Sequence, residues 1–184
     1  MLSPNSKPAP ILVALGANLI SERYGTPIET LEAALGALAA RDIRTLKRSR
    51  WFESAPVPIS DQPWYVNGVI SVRTPLSAAA TLSSLHEIEA EFGRVRQIRN
   101  EARVLDLDLI AYGDEVIDER GGMIVPHPRL AERAFVLLPL ADVAPDWHHP
   151  VSGLGLDEMI RALPKDQMIR PVGAVPAGAV GSTL

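Results

Sequence analysis

Five residues, Leu105-Asp106-Leu107-Asp108-Leu109, alternate apolar and acidic side chains without a break. A strict period of two marks a β-strand, because successive side chains leave opposite faces of the backbone. The three leucines therefore share one face and require a hydrophobic partner, while Asp106 and Asp108 share the other. At about 3.3 Å per residue, the two aspartate Cα atoms stand roughly 6–7 Å apart. Carboxylates held so close repel each other unless something cationic lies between them.

The rest of the chain builds outward from this strand, read as Arg103 to Tyr112. Ile11 to Leu15 is a short apolar run typical of a buried strand, and Gly16-Ala17-Asn18-Leu19 after it reads as a tight turn. Thr26-Pro27-Ile28-Glu29 combines an N-cap, a proline at the first helical position and a capping-box glutamate. With Leu31, Leu35 and Leu38 at helical spacing, it predicts a helix over 27–40. A mixed basic strand is expected from Ile43 to Phe52, and a proline-rich loop from Ser54 to Pro63. A strand follows from Tyr65 to Arg73, then a helix opened by Thr74-Pro75 and closed by Gly93. A short helix or extended segment is expected over Leu130 to Leu138, and a last helix over Gly155 to Leu163. The order strand, helix, strand, strand, helix, strand predicts an α+β, ferredoxin-like βαββαβ sandwich: an antiparallel sheet, helices packed on one face, and C-terminal additions. Residues 1–9 are expected to form a flexible arm, 10–168 a single domain and 169–184 a disordered tail.

Charge narrows the possible functions. The net charge of −4 disfavours a general nucleic-acid or membrane-surface role, and the absence of cysteine removes thiolate metal sites and disulfides. No apolar run reaches the length of a membrane span and no secretion-signal pattern opens the chain, so a cytoplasmic protein is expected. Within this acidic chain, Arg94, Arg96, Arg99 and Arg103 fall inside ten residues that lead directly into the aspartate strand. Arginine suits phosphate because its planar fork stays charged and donates paired hydrogen bonds. Mg²⁺ takes oxygen ligands, usually one or two carboxylates plus substrate phosphates. Each segment alone has a bland reading as a solvated loop or edge strand, but their adjacency favours a phosphate clamp beside a metal site. No glycine-rich phosphate loop is present, so side chains and metal must supply the grip.

Tyr65 and Asn67 share a strand face and can stack on a flat heterocycle and read its edge, with Phe135 as a second ring. His86 and Glu89 lie one helical turn apart, where a surface ion pair is the simple alternative. His127 sits between Pro126 and Pro128, with Arg129 and Arg133 following at helical spacing. His148-His149 precedes Pro150 and reads as a loop pair rather than a zinc site. A ferredoxin-like RNA-binding module is the competing reading. The negative net charge and the single aromatic on the presumed sheet face weigh against it.

In order, Ala14-Leu15-Gly16-Ala17-Asn18-Leu19, Asp61-Gln62-Pro63-Trp64-Tyr65-Val66-Asn67, Gly93-Arg94-Val95-Arg96, Arg103-Val104-Leu105-Asp106-Leu107-Asp108 and Val125-Pro126-His127-Pro128 through Arg133-Ala134-Phe135 resemble the 6-hydroxymethyl-7,8-dihydropterin pyrophosphokinase family. The resemblance covers roughly residues 10–150. It implies transfer of pyrophosphate from ATP to the pterin hydroxymethyl group in folate biosynthesis, with ATP as co-substrate and two Mg²⁺ ions on Asp106 and Asp108. It further implies a pterin between Tyr65 and Phe135, read by Asn67 and by backbone near Ser54 and Val57. Arg94 and Arg103 match catalytic-loop arginines. His86, Glu89, Arg96, His127 and Arg133 match ATP-contacting positions, and Arg99 joins them as a candidate. A monomer without nucleic-acid or membrane partners is expected. Asn100-Glu101-Ala102 stands where the family often has Trp-Gly-Pro, and Gly122 and Ile124 stand where one member has an arginine and a threonine.

Overall fold

The computed structural model of the chain describes residues 9–93, 103–119 and 121–173. Strand β1 (Ile11–Ala17), helix α1 (Pro27–Ala39), the short strands β2 (Arg44–Arg48) and β3 (Phe52–Ser54) and the long strand β4 (Tyr65–Arg73) come first. Helix α2 (Ala78–Glu91), strand β5 (Asp106–Tyr112), the small pair β6 (Ile117–Asp118) and β7 (Ile124–Val125), and a 3₁₀ turn (Leu130–Glu132) come next. Helices α3 (Ala134–Val143) and α4 (Leu156–Ala162) and strand β8 (Ile169–Pro171) complete the described chain. The main sheet is antiparallel at each pairing, in the order β5-β1-β4-β3-β8, with β2 sharing the outer edge of β4. Taken as one interrupted strand, β2 and β3 complete the ferredoxin-like order of last, first, third, second.

Local chemistry sets these elements. Thr26 caps α1: its hydroxyl accepts the Glu29 N–H, and the Glu29 carboxylate accepts the Thr26 N–H at 2.8 Å. The second helix starts later than its Thr-Pro pair suggests. Ser77 is the N-cap, accepting the Ala80 N–H at 3.2 Å, while Thr74 caps only a turn through the Leu76 N–H. The strand expected from Ile43 to Phe52 is also interrupted. Buried Ser49 takes both the N–H and the carbonyl of Val69, and the Trp51 ring then lies across Gly68. A Cβ at Gly68 would stand 2.4 Å from that ring, so the packing requires glycine.

Leu31 and Leu38 of α1 and Leu85 and Ile88 of α2 pack against Val13, Leu15, Ile70, Leu105, Leu107 and Leu109. Each fully buried leucine contributes roughly 1.5–3 kcal/mol of transfer free energy. The leucine face of β5 is thus anchored firmly enough to present Asp106 and Asp108 on its other side. Helices on one face only is corrected by a second core, where Val136, Leu137 and Leu140 of α3 and Leu156 and Met159 of α4 cover Leu12, Val69 and Ile110. Residues 134–143 are apolar but for Asp142, so this helix has to bury most of its surface.

The C-terminal boundary also moves. Ile169–Pro171 pairs with β3, so the first residues of the expected tail are a sheet strand, while residues 174–184 lie outside the described ones. Among the described residues, no helix is long and apolar enough to cross a membrane.

Candidate active site

The register places the site. Gly16 of β1 lies opposite Asn67 of β4 on one side and Asp106 of β5 on the other, and Ala14 lies between Val69 and Asp108. Residues opposite one another in antiparallel strands share a face. At this end of the sheet a cleft of about 410 Å³ opens, lined by Ser54, Val57, Tyr65, Asn67, Arg103, Asp106, Asp108, His127, Arg133 and Phe135 among others.

Gly16 forms part of the cleft floor and is not the turn residue its sequence context suggests. It lies within β1, and a Cβ added there would stand 3.2 Å from Asn67 Oδ1. Its use is space beside Asn67 rather than conformational freedom. Asn67 is buried and donates from Nδ2 to the Ser54 hydroxyl at 2.8 Å, which fixes the amide plane. The Tyr65 hydroxyl donates to Gln62 Oε1 at 3.3 Å, and burial raises its pKa against the opposing pull of Arg103.

Two arginines face the two aspartates. Arg103 Nη1 lies 2.7 Å from Asp106 Oδ2, and Arg133 Nη1 lies 3.4 Å from Asp108 Oδ2. Burial works to lower the pKa of Arg103, but Asp106 outweighs it and the net shift is upward. Burial lowers that of Arg133, with Asp108 opposing. The Arg133 guanidinium also lies 5.5 Å from the Phe135 ring centroid. Burial and then the neighbouring Asp106 push Asp108 upward, while His127 and both arginines pull it down. His127 accepts the Arg129 N–H at Nδ1, which leaves its neutral ring protonated at Nε2. Burial lowers its pKa, against the charge of Asp108.

Asn18 was legible only as a turn residue, yet it organises one rim. It is 3% exposed. Its Oδ1 accepts the Arg103 N–H at 2.8 Å, its own N–H donates to the Arg103 carbonyl, and its Nδ2 reaches the Pro63 carbonyl at 3.1 Å. One side chain therefore holds the start of the aspartate strand to the loop before Tyr65.

His86 and Glu89 do not line the cleft. His86 is exposed on α2, whereas Glu89 is 1% exposed and its Oε1 accepts the Leu107 N–H at 2.8 Å from the leucine side of β5. Arg94, Arg96 and Arg99 lie outside the described residues. Of the His148-His149 pair, His149 Nδ1 accepts N–H bonds from Val151 and Ser152 as a turn cap. Gln167, Arg129 and Glu132 line the cleft without having been singled out for it.

The donor set fits Mg²⁺. Among the described residues no three His, Asp or Glu side chains form a cage, so Asp106 and Asp108 offer a pair of carboxylates side by side on one strand, within reach of the cleft's arginines. Mg²⁺ commonly completes such a partial set with phosphate oxygens and water.

A model of the 7,8-dihydro-6-hydroxymethylpterin-pyrophosphokinase (HPPK) family matches residues 12–145. The chain belongs to this family. Similar relatives include the 2-amino-4-hydroxy-6-hydroxymethyldihydropteridine pyrophosphokinase of Pseudomonas aeruginosa, 40% identical over 89% of this chain and 98% of that protein. The protein of the same name from Synechocystis is 39% identical over 81% of this chain and 73% of that one. The Pneumocystis carinii folic acid synthesis protein fol1 is 38% identical over 88% of this chain, which spans only 21% of that longer protein. In fold, the chain is similar to a crystal structure of wild-type Plasmodium falciparum HPPK-DHPS, with a TM-score of 0.64 at 13% identity. That likeness covers 87% of this chain and 45% of the other. HPPK membership rests on a matched span that contains both aspartates, Tyr65, Asn67, His127, Arg133 and Phe135.

Proposed function

We propose that the chain transfers the pyrophosphoryl group of ATP to the hydroxymethyl oxygen of 6-hydroxymethyl-7,8-dihydropterin, releasing AMP, as a step of folate synthesis. The observation that carries this reading is the shared cleft. Asp106 and Asp108 face the same space as the Tyr65, Asn67 and Phe135 group and as two arginines.

In this reading the pterin lies between Tyr65 and Phe135, and Asn67, held by Ser54, reads its edge together with backbone near Ser54 and Val57. Burying both faces of the ring excludes water and fixes the hydroxymethyl group toward the aspartates. Arg103 and Arg133 hold polyphosphate oxygens, and His127 donates to them from Nε2. Arg94, Arg96 and Arg99 are further candidates for that grip. Asp106 and Asp108 would hold two Mg²⁺ ions, which when bound neutralise polyphosphate charge and align the reacting phosphorus. The pterin oxygen forms a bond to the β-phosphorus, the bond from that phosphorus to the α–β bridging oxygen breaks, and the hydroxyl proton is released. Charge moves onto the departing AMP, where preorganised guanidinium groups are most effective. His86 and Glu89 do not line the described cleft, and their proposed contact with ATP rests on the family resemblance alone. The reading takes the enzyme as a cytoplasmic monomer.

Incubation with ATP, Mg²⁺ and the hydroxymethyl pterin, with the nucleotide product separated by chromatography, tests the reaction type. Pterin-dependent AMP is the expected product. ADP, or AMP whose yield is indifferent to the pterin, would overturn the assignment.

A further inference from the structure

The family match ends at residue 145, yet one wall of the cleft is held by a side chain from beyond it. Helix α3 begins at Ala134, and its N-cap, Arg133, makes no side-chain capping bond. The first N–H groups of a helix need partners from elsewhere. Gln167 supplies one: its Oε1 accepts the Ala134 N–H at 2.9 Å, and its Nε2 donates to the Glu132 carbonyl at 2.7 Å. The two bonds fall on either side of Arg133, so a single primary amide grips the backbone before and after that residue.

We propose that Gln167 is a positioning residue that sets Arg133 and Phe135 for the reaction. The inference rests on the functional reading above, in which Arg133 meets phosphate and Phe135 meets the pterin. A neutral amide fits both bonds, whereas a carboxylate cannot donate to Glu132 and an ammonium cannot accept from Ala134. Gln167 is itself fixed by its neighbours Met168 and Ile169. The Met168 carbonyl accepts the Ala55 N–H at 3.0 Å, and Ile169 pairs with Ser54. Three consecutive residues thus tie the Ser54 wall of the cleft to the Arg133–Phe135 wall. The segment is half-buried to exposed and contributes no residue to the large buried core. Its loss therefore shifts cleft geometry more than global stability, which separates a positioning role from a structural one.

The test compares Gln167→Met, of similar length but without either bond, with Gln167→Glu, which keeps the acceptor alone. Amide exchange is read at Ala134, and steady-state constants are read for both substrates. In Gln167→Met, Ala134 should exchange about tenfold faster and the KM for the pterin should rise about fivefold, in line with loss of two neutral hydrogen bonds. Its Tm should stay within about 3 °C of wild type. Gln167→Glu should keep Ala134 near wild-type exchange and recover part of the KM. Wild-type exchange at Ala134 in Gln167→Met would show that the clamp does not operate. Faster exchange with unchanged KM and kcat would show a clamp without a positioning role, and a Tm loss above about 10 °C in both variants would make the residue structural; each result overturns the proposal. A wild-type protein that makes no AMP would instead sink the functional reading, and the Ala134 exchange would still report on the clamp.

Discussion

Glu89→Gln is the perturbation that most sharply separates packing from site geometry. Glu89 lies on α2, is 1% exposed, and its Oε1 holds the N–H of Leu107, the residue between the two aspartates. A hydrogen bond from an amide to a carboxylate is worth about 1.5–3 kcal/mol, and its neutral counterpart about 0.5–1.5 kcal/mol. Glutamine keeps the acceptor and the length, so the net loss is about 1 kcal/mol. For a chain of this size that lowers Tm by roughly 2–4 °C. The effect on catalysis should be disproportionate, because a sub-ångström drift of β5 moves both carboxylates together. Turnover should fall about tenfold with a smaller change in either KM. Thermal unfolding, amide exchange at Leu107 and steady-state kinetics on one preparation measure all three. An unchanged or raised Tm together with normal turnover would refute the reasoning, since the carboxylate would then be a buried charge that anchors nothing.

Gly16→Ala should raise the pterin KM about tenfold with little change in Tm, because its Cβ would meet Asn67 Oδ1 at 3.2 Å; ligand titration and melting curves check both. Tyr65→Ala should weaken pterin binding by about 1–2 kcal/mol while leaving ATP affinity near wild type, measured by titrating each ligand separately. Asp142 accepts two side-chain hydrogen bonds from Arg50, which depress its pKa along with the Arg50 N–H and charge. A carboxylate depressed in the folded state stabilises above its unfolded pKa, and that stability disappears as pH falls through the folded value. Asp142→Asn should therefore lower Tm by about 1–2 °C at neutral pH, a small effect because the pair is solvent-screened. The difference from wild type should shrink as pH falls below the ordinary carboxylate range and through the lowered folded value. A melting series against pH decides it.

Signals carried by a few neighbouring residues were readable from the sequence. The Thr26–Glu29 capping box, the apolar stripes of α1 and α2 and the alternation around Asp106 and Asp108 each arise from local geometry, and they were enough to fix the order of elements. Features that depend on two distant segments meeting were not readable. Gly16 looks like a turn residue until Asn67 is placed beside it, and Asn18 gains its role only when the fold brings Arg103 to it from far along the chain. Glu89 carries the spacing of a ligand-facing helix residue, yet the direction in which β5 crosses α2 turns it to the core. Thr74 lost the cap to Ser77, which stands one residue from the first helical turn. Helix α3 took the second face of the sheet because its length of apolar surface could not stay in water, a demand that composition shows but does not direct. The short strand Ile169–Pro171 carries no sequence periodicity at all. It forms because β3 leaves an edge beside it.

The claim on which the enzyme reading depends is that Asp106 and Asp108 bring cations to a bound triphosphate. Calorimetric titration of a non-hydrolysable ATP analogue, with and without Mg²⁺, measures this directly for wild type, Asp106→Asn and Asp108→Asn. Wild type should bind the analogue at least about tenfold more tightly with Mg²⁺, and each variant should lose most of that gain while melting within a few degrees of wild type. Folded variants that retain the full Mg²⁺ dependence would contradict the account.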